Sequence, residues 1–264
     1  MDHRSIVITG ASSGIGAALA RRLAGSGRTL GLVGRDVGRL EAIAQACRSK
    51  GALCRTAALD VRDRSRLKDF LESFEQQHPI DLAIVNAGIL DGRAVDQSIE
   101  TGEAALSVLQ TNLLAAIDTV HIVLPALRQR RRGDIVLVAS LAAFVPLADA
   151  PAYSASKAGL ASYGLALRDA LHGEGIRVVV ACPGFVSTAM GKTHIGPRPG
   201  EISAEQAADQ ILSGLARNRA LIGFPKVPFW LTRMSLLVPE FVRRRRMRHT
   251  RFHVRRNQTS EASE

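Results

Sequence analysis

Short apolar runs alternate along the chain with longer stretches of helical period. β-Branched and aliphatic side chains cluster at residues 5–9, 29–33, 54–59, 82–85, 134–138 and 177–181. Runs this short that are apolar at most positions suit strands buried on both faces. Between them, residues 14–25, 37–49, 63–77, 103–130 and 153–172 place apolar side chains three or four apart, as a helix with one buried face does. Strand then helix, repeated, predicts right-handed βαβ units. The fold class is therefore α/β: a doubly wound parallel sheet with helices on both faces. Past the last run, 191–200 is a Gly- and Pro-rich connection with the composition of a lid, followed by a helix near 203–217 and a short strand near 220–223. No internal repeat appears.

Composition divides this picture in two. The chain has 264 residues, 46% hydrophobic and 22% charged, the balance of a globular domain large enough to close a full core. Fibrous, disordered and small disulfide-stapled classes are excluded. The formal charge of +11 is unevenly spread: residues 1–224 hold 25 basic and 21 acidic side chains, whereas 225–256 hold Lys226, nine arginines and one acid, Glu240. The expected organisation is a body, 1–224, and a basic extension, 225–264, whose attraction for anions need not concern the body's substrate. Cys47, Cys54 and Cys182 form no C-x-x-C pair, and His78, His121, His172 and His194 show no ligand spacing, so neither a disulfide framework nor a metal is expected. This cysteine usage suits a reducing cytosol. Met1 to Arg4 lead into Ile6-Val7-Ile8 without a secretory pattern, and the apolar stretch 113–127 contains Asp118 and His121, so no uncharged run reaches the ~18 residues of a membrane span. A cytoplasmic protein is expected.

The candidate chemistry begins after the first predicted strand, at Thr9-Gly10-Ala11-Ser12-Ser13-Gly14-Ile15-Gly16. Glycines let the backbone turn sharply and approach a pyrophosphate, while the helix that follows presents unpaired N–H groups and its positive dipole end. Glycines also serve ordinary tight turns; the place of this one between strand and helix favours a dinucleotide. Further along stand Asp60-Val61, Asn86-Ala87-Gly88, Asn112, Ser140, Tyr153-x-x-x-Lys157 and Pro183-Gly184. In this order the chain resembles the short-chain dehydrogenase/reductase family over residues 5–224. The resemblance implies a Rossmann-like fold, a nicotinamide cofactor and interconversion of a ketone with a secondary alcohol. It also implies cofactor contacts. Gly10, Ser12, Ser13, Gly14, Ile15 and Gly16 form the dinucleotide turn, and Asp60 and Val61 flank the adenine. Asn86, Ala87 and Gly88 line the ribose side, and Pro183, Gly184, Val186 and Thr188 lead to the carboxamide and pyrophosphate.

The second predicted strand ends Leu32-Val33-Gly34-Arg35-Asp36. An acid at this point binds the ribose 2′-OH of NAD, whereas an arginine accommodates the 2′-phosphate of NADP by charge-assisted bonding. Gly34 stands where the acid would sit and Arg35 follows it, which favours NADP(H), with Ser12 implied as a helper. Asp36 is the rival ribose ligand, although its place before a helix suits an N-cap.

Tyr153 and Lys157 are four apart, so on a helix their heads share one face. Hydride transfer to a carbonyl builds negative charge on oxygen that a proton must quench. Free tyrosine, with pKa ~10, is a poor acid at neutral pH, and a nearby ammonium is expected to lower that value. By resemblance Tyr153 and Lys157 also touch the cofactor, Lys157 through the nicotinamide ribose. Ser140 follows the apolar run 135–139, at the carboxyl edge of the sheet where open α/β folds bind ligands, and can hydrogen-bond the carbonyl oxygen. Asn112 resembles the family's asparagine that holds a water on the proton route to Lys157. Singly, these residues also suit a helix-surface pair, a strand cap and a backbone ligand. Jointly, Asn112, Ser140, Tyr153 and Lys157 form a full catalytic set.

Leu141, Ala142, Phe144, Val145, Leu147, Phe185, Ala189 and Met190 occupy positions that line the family's substrate cleft. Their apolar character suits an uncharged, lipophilic ketone or alcohol, with a core or subunit-contact role open for each. The extension runs from Phe224-Pro225-Lys226-Val227-Pro228-Phe229-Trp230-Leu231 through Leu236-Leu237-Val238 to Arg243, Arg244, Arg245, Arg246, Arg248, Arg251, Arg255 and Arg256. It has the composition to contact an anionic membrane, and equally to cover the cleft or a neighbouring subunit; Pro239 interrupts a long amphipathic helix. Nucleic acid is not expected. The resemblance implies a homodimer or homotetramer through helices 103–130 and 153–172. The expected function is NADPH-dependent reduction of a lipophilic ketone. The alternatives are reduction of a 3-oxoacyl thioester on an acidic carrier protein, and a non-catalytic NADP(H)-binding scaffold or sensor at a membrane.

Overall fold

In β1 (Ser5–Thr9), Ile6 and Ile8 point to one face and Val7 to the other, and all three are buried, so a helix layer is needed on each side. The computed structural model, which describes residues 3–235, 238 and 251–254, supplies both layers. After β1 come α1 (Gly14–Leu23), β2 (Thr29–Gly34), α2 (Val37–Arg48), β3 (Leu53–Ala58), α3 (Arg64–Gln77) and β4 (Leu82–Val85). Then follow α4 (Gly102–Leu109), α5 (Ala115–Arg130), β5 (Gly133–Val138), α6 (Pro151–Ala170) and β6 (Ile176–Pro183). The rest comprises β7 (Val186–Ser187), α7 (Ala189–Thr193), β8 (His194–Ile195), β9 (Ile202–Ser203), α8 (Ala204–Ala216), β10 (Leu221–Phe224), α9 (Lys226–Ser235) and β11 (His253–Val254).

The main sheet has seven parallel strands in the order β10-β6-β5-β4-β1-β2-β3. Helices α1, α2 and α8 cover the Ile6, Ile8 and Val136 face; α3, α5 and α6 cover the Val7, Ile135 and Leu137 face. From β3 the chain returns to β4 on the other side of β1. The topological switch point, where such sheets bind ligands, therefore lies between β1 and β4.

Five helices begin on a side-chain cap: Asp36, Asp63, Thr101, Thr188 and Ser203 each accept a backbone N–H of the first turn of α2, α3, α4, α7 and α8. Asp36 takes the N–H of Arg39 at 2.8 Å, so the rival ribose ligand serves as a helix cap. α1 differs, because Ser13 makes no capping bond and the first turn holds no acid.

Three elements depart from the expected pattern. The stretch 103–130 is divided by a π turn at Gln110–Leu114 that carries the buried Asn112. As a whole, Gly102–Arg130 is long and apolar enough to cross a membrane, yet Val120, Val123 and Leu127 pack beneath the sheet in the layer of α3. α6 starts two residues early because Pro151, with no N–H to lose, suits a first helical position. The 191–200 connection holds the end of α7 and β8, and β8 pairs antiparallel with β11 of the extension.

Candidate active site

At the switch point the ends of β1 and β4 are tied by Thr9 and Asn86. Thr9 Oγ1 accepts the N–H groups of Asn86 and Ala87 at 3.0 and 3.1 Å, and Asn86 Nδ2 donates to the carbonyls of Thr9 and Gly10 at 3.1 and 3.3 Å. The closeness of the two segments explains the glycines. Gly10 has φ +69°, and a Cβ there would lie 2.9 Å from Ala87 Cα; a Cβ on Gly16 would lie 2.2 Å from the Gly10 oxygen. On the far side a Cβ on Gly14 would come within 3.0 Å of Thr188. The turn thus forms a backbone cradle with the uncapped N-terminus of α1 at its head. Unpaired N–H groups, a positive dipole end and no nearby acid suit a pyrophosphate, so a dinucleotide fits the residues present.

At the end of β2, Ser12 packs against Gly34, and the exposed Arg35 guanidinium stands 3.9 Å from Asp60. The Asp60 carboxylate is engaged by Arg62, whose hydrogen bonds hold it below the usual carboxylate range. Val61 and Val186 turn their side chains into the two core layers. Pro183 ends β6, Gly184 donates to the Phe224 carbonyl at 2.7 Å, and Thr188 caps α7 through the Gly191 N–H. Gly88 passes over Lys157 of α6 and Asn112 of the π turn: a Cβ there would be 3.4 Å from Lys157 Nζ and 3.1 Å from Asn112 Oδ1.

The sequence-predicted catalytic side chains converge at the same sheet edge. Ser140 follows β5; its Oγ accepts the Ala142 N–H at 3.1 Å and donates to the Pro183 carbonyl at 3.4 Å. Lys157 Nζ lies 5.9 Å from the centre of the Tyr153 ring and donates to the Val138 carbonyl at 3.0 Å. Asn112 accepts the Ile89 N–H at 2.7 Å and donates to the Ile89 carbonyl at 2.9 Å and to Ser156 Oγ at 3.3 Å. Its amide therefore clamps the loop after β4 against α6, and the widened π turn gives it the reach.

Electrostatics correct one expectation. Burial pushes the Tyr153 phenol above its ordinary value, and a hydrogen bond with Ser140 opposes this. Burial also brings the Lys157 ammonium down to about 8. The Lys157 head donates to the Val138 carbonyl, 5.9 Å from the centre of the Tyr153 ring, and is not among the groups that shift the phenol.

Two positioning residues escaped sequence reasoning. α6 has no capping side chain of its own, and Glu100, from the loop before α4, accepts the Ala152 N–H at 2.7 Å. Asp149, just ahead of α6, binds Arg93 and Arg251. Neither has a local sequence signal, since the partners are 52 to 102 residues away. Two open depressions of about 370 and 260 Å³ lie at the opposite, amino end of the sheet around Asp81 and Arg132 and include no predicted site residue. Among the described residues no group of three or more His, Cys, Asp or Glu is placed to hold a metal.

Fold and site define a dinucleotide-binding α/β oxidoreductase. The chain belongs to the short-chain dehydrogenase family, whose sequence model matches residues 4–196, and it acts on CH–OH or carbonyl groups. It is 33% identical over 240 residues to an uncharacterized oxidoreductase of Myxococcus xanthus, covering 90% of this chain and 94% of that one. It is 37% identical over 189 residues to ketoacyl reductase HetN of Nostoc sp., covering 71% and 65%. Among solved structures it is similar to a short-chain dehydrogenase from Sphingobium yanoikuyae in complex with NADPH, with TM-score 0.78, 26% identity and coverage of 99% and 100%. It is also similar to an actinorhodin polyketide ketoreductase with NADPH, with TM-score 0.74, 26% identity and coverage of 84% and 96%.

Proposed function

We propose that this chain is an NADP(H)-dependent reductase that converts an uncharged, lipophilic ketone to a secondary alcohol. The observation that carries the reading is the convergence of Ser140, Tyr153 and Lys157 at the carboxyl edge, beside the glycine cradle. When bound, NADPH supplies the hydride. Gly10, Ser13, Gly14, Ile15 and Gly16 hold its pyrophosphate, and Ser12 and Arg35 its 2′-phosphate. Asp60 and Val61 offer backbone to the adenine, since their side chains are engaged elsewhere. Asn86, Ala87, Gly88 and Lys157 face the ribose, and Pro183, Gly184, Val186 and Thr188 the carboxamide side. NADPH in two similar solved structures supports this cofactor. The Tyr153 hydroxyl donates its proton to the carbonyl oxygen, and Ser140 Oγ donates a hydrogen bond to that oxygen as charge develops. A phenol held protonated by burial is the form a reductase requires. Lys157 supplies positive charge beneath the site, and Asn112 fixes the loop that carries Gly88.

The test is NADPH and NADH oxidation, in parallel, on aliphatic, aromatic and steroidal ketones and on 3-oxoacyl thioesters. Faster turnover with NADPH on an uncharged ketone supports the reading; faster turnover with NADH sinks the assignment of Arg35. The similarity to a ketoacyl reductase favours a second reading, reduction of a 3-oxoacyl thioester on an acidic carrier. That reading requires the thioester to be the best substrate and its rate to fall steeply with salt. Binding of NADPH without turnover on any of these compounds is the signature of the scaffold reading.

The 1–224 body and the 225–264 extension remain the working division; α9 and residues 251–254 of the extension pack on the body through Phe229, Phe252 and Val254. Outward on α9, Val227, Trp230, Leu231 and Met234 form an exposed apolar stripe at helical spacing. Next to nine arginines it suits peripheral contact with an anionic bilayer. Leu236, Leu237, Pro239, Arg243 to Arg246, Arg248, Arg255 and Arg256 lie outside the described residues. Trp230 is the single tryptophan, so its emission should shift blue on phosphatidylglycerol vesicles, and unchanged emission removes the membrane contact. Exposed Leu106 and Leu114 on the α4–α5 stretch suit a subunit contact of a homodimer or homotetramer, which sedimentation equilibrium of the full chain would refute by a monomer mass.

A further inference from the structure

Residues 251–254 return from the end of the extension and settle beside the candidate active site in a seat made for them. Asp149 is almost fully buried, and its carboxylate accepts from Arg93 Nε at 2.8 Å, Arg251 Nε at 2.9 Å and the Phe252 N–H at 2.9 Å. Arg93 completes the hold: its Nη2 donates to the Phe252 carbonyl at 2.9 Å, and its own carbonyl accepts the Val254 N–H at 2.9 Å. His253 and Val254 then pair as an antiparallel strand with Ile195 and His194. The Phe252 ring stacks on His194 with centroids 4.2 Å apart. Two glycines leave the room required: a Cβ on Gly92 would lie 3.2 Å from a Val254 methyl, and one on Gly196 would lie 2.9 Å from Phe252 Cβ.

What this strap covers gives it a function. Phe252 and Val254 are buried with Ala150, and Leu90, Leu147 and Tyr153 pack against that cluster. The strap therefore borders the tyrosine assigned the proton transfer.

We infer that Phe252 and Val254 are specificity-determining residues: held by the Asp149 and Arg93 clasp, they back Leu90 and Leu147 and so fix the room that the apolar substituent of a ketone has beside Tyr153. The inference rests on the reductase reading and deepens it by naming the substrate class. An uncharged, slender apolar group gains contact with the half-buried Leu90 and Leu147, which Phe252 and Val254 support from behind. A carboxylate or sugar would lose its hydration to a wall that offers no hydrogen bond. A bulky fused-ring ketone would have to displace a strap tied through the Phe252 N–H, the Phe252 carbonyl and the Val254 N–H and paired with β8.

The experiment compares the full-length protein with Phe252→Ala, Val254→Ala and Asp149→Asn. kcat/KM with NADPH is measured for a slender ketone (2-octanone) and a fused-ring ketone (a 3-ketosteroid), and amide hydrogen exchange is followed at His194, Ile195 and Val254. The expected result for Phe252→Ala is a shift of at least about tenfold in the ratio of the two kcat/KM values toward the fused ring, mostly through KM. Asp149→Asn is expected to give the same direction together with faster exchange at the three amides. An unchanged ratio in Phe252→Ala and Val254→Ala, with wild-type turnover intact, overturns the inference and leaves the strap structural. Rapid exchange at these amides in the wild type overturns it by showing no seated strap. If the wild type turns over neither ketone while the amides are protected, the lipophilic-ketone reading falls and the inference falls with it.

Discussion

The two sides of the active site are built by opposite means. On the cofactor side, the shape comes from backbone: Gly10 and Gly16 allow an approach in which a Cβ would fall below 3 Å from neighbouring backbone, and Thr9 and Asn86 lock two adjacent strand ends. On the substrate side, Asp149, Arg93, Arg251 and Phe252 come from segments far apart in the chain and are joined by side-chain charge and stacking. A pyrophosphate makes the same demand wherever it binds, and backbone N–H groups meet it without any particular side chain. Substrates vary, and walls of exchangeable side chains can be changed without touching the sheet. The shape of the cofactor side is thus encoded locally, whereas the proposed substrate wall exists only through tertiary contact.

Substitutions on the two sides should therefore differ in scale. Gly16→Ala puts a methyl 2.2 Å from a backbone oxygen that cannot swing aside, so NADPH affinity should fall by about 100-fold or more with ~1–3 kcal/mol of stability, read by NADPH fluorescence titration and urea unfolding. Gly25→Ala meets nothing within 4 Å and should stay within about 0.5 kcal/mol, which separates crowding from a general intolerance of alanine. Arg35→Leu should raise KM for NADPH about 10- to 100-fold, the loss of a charged hydrogen bond, and leave KM for NADH within about threefold; equal effects on both cofactors would remove Arg35 from the 2′-phosphate site.

The smallest effect concerns pH. Lys157 titrates at about 8 in the folded chain against 10.5 ordinarily, so between these values the unfolded chain binds more protons than the folded one. Stability attributable to this group therefore rises with pH across that window and is flat below it, by about 1 kcal/mol between pH 7 and pH 9. Lys157→Met should remove that rise in urea unfolding at pH 7, 8 and 9, and an identical slope in wild type and variant would show that Lys157 is not buried as a charge.

Legibility in the sequence follows the same division. β1, β2, β4 and β5 lie close to their apolar runs because a central strand buried on both faces leaves an uninterrupted signal. β3 starts at Leu53 rather than 54 because it is an edge strand whose Leu53 is exposed, so alternation is weak. The π turn at Asn112 leaves no mark in a 3.6-residue period, and Pro151 announces the start of α6 only to a reader who treats proline as a first-turn residue. Asn112, Ser140, Tyr153 and Lys157 were legible as a set through the family resemblance, and Ser140, Tyr153 and Lys157 stand at the end of a strand and on a helix that the apolar pattern also predicts. Glu100, Asp149 and the strap were not, since an ion pair between residues 93, 149 and 251 exists only after folding.

The most direct test of the central claim is Tyr153→Phe, assayed for NADPH oxidation with the best ketone and for NADPH binding by fluorescence. Loss of the positioned proton donor from an intact cradle should lower kcat by about 100-fold or more and leave NADPH affinity within about threefold. A variant that keeps wild-type kcat would contradict the assignment of Tyr153 as the acid and, with it, the chemistry drawn from this site.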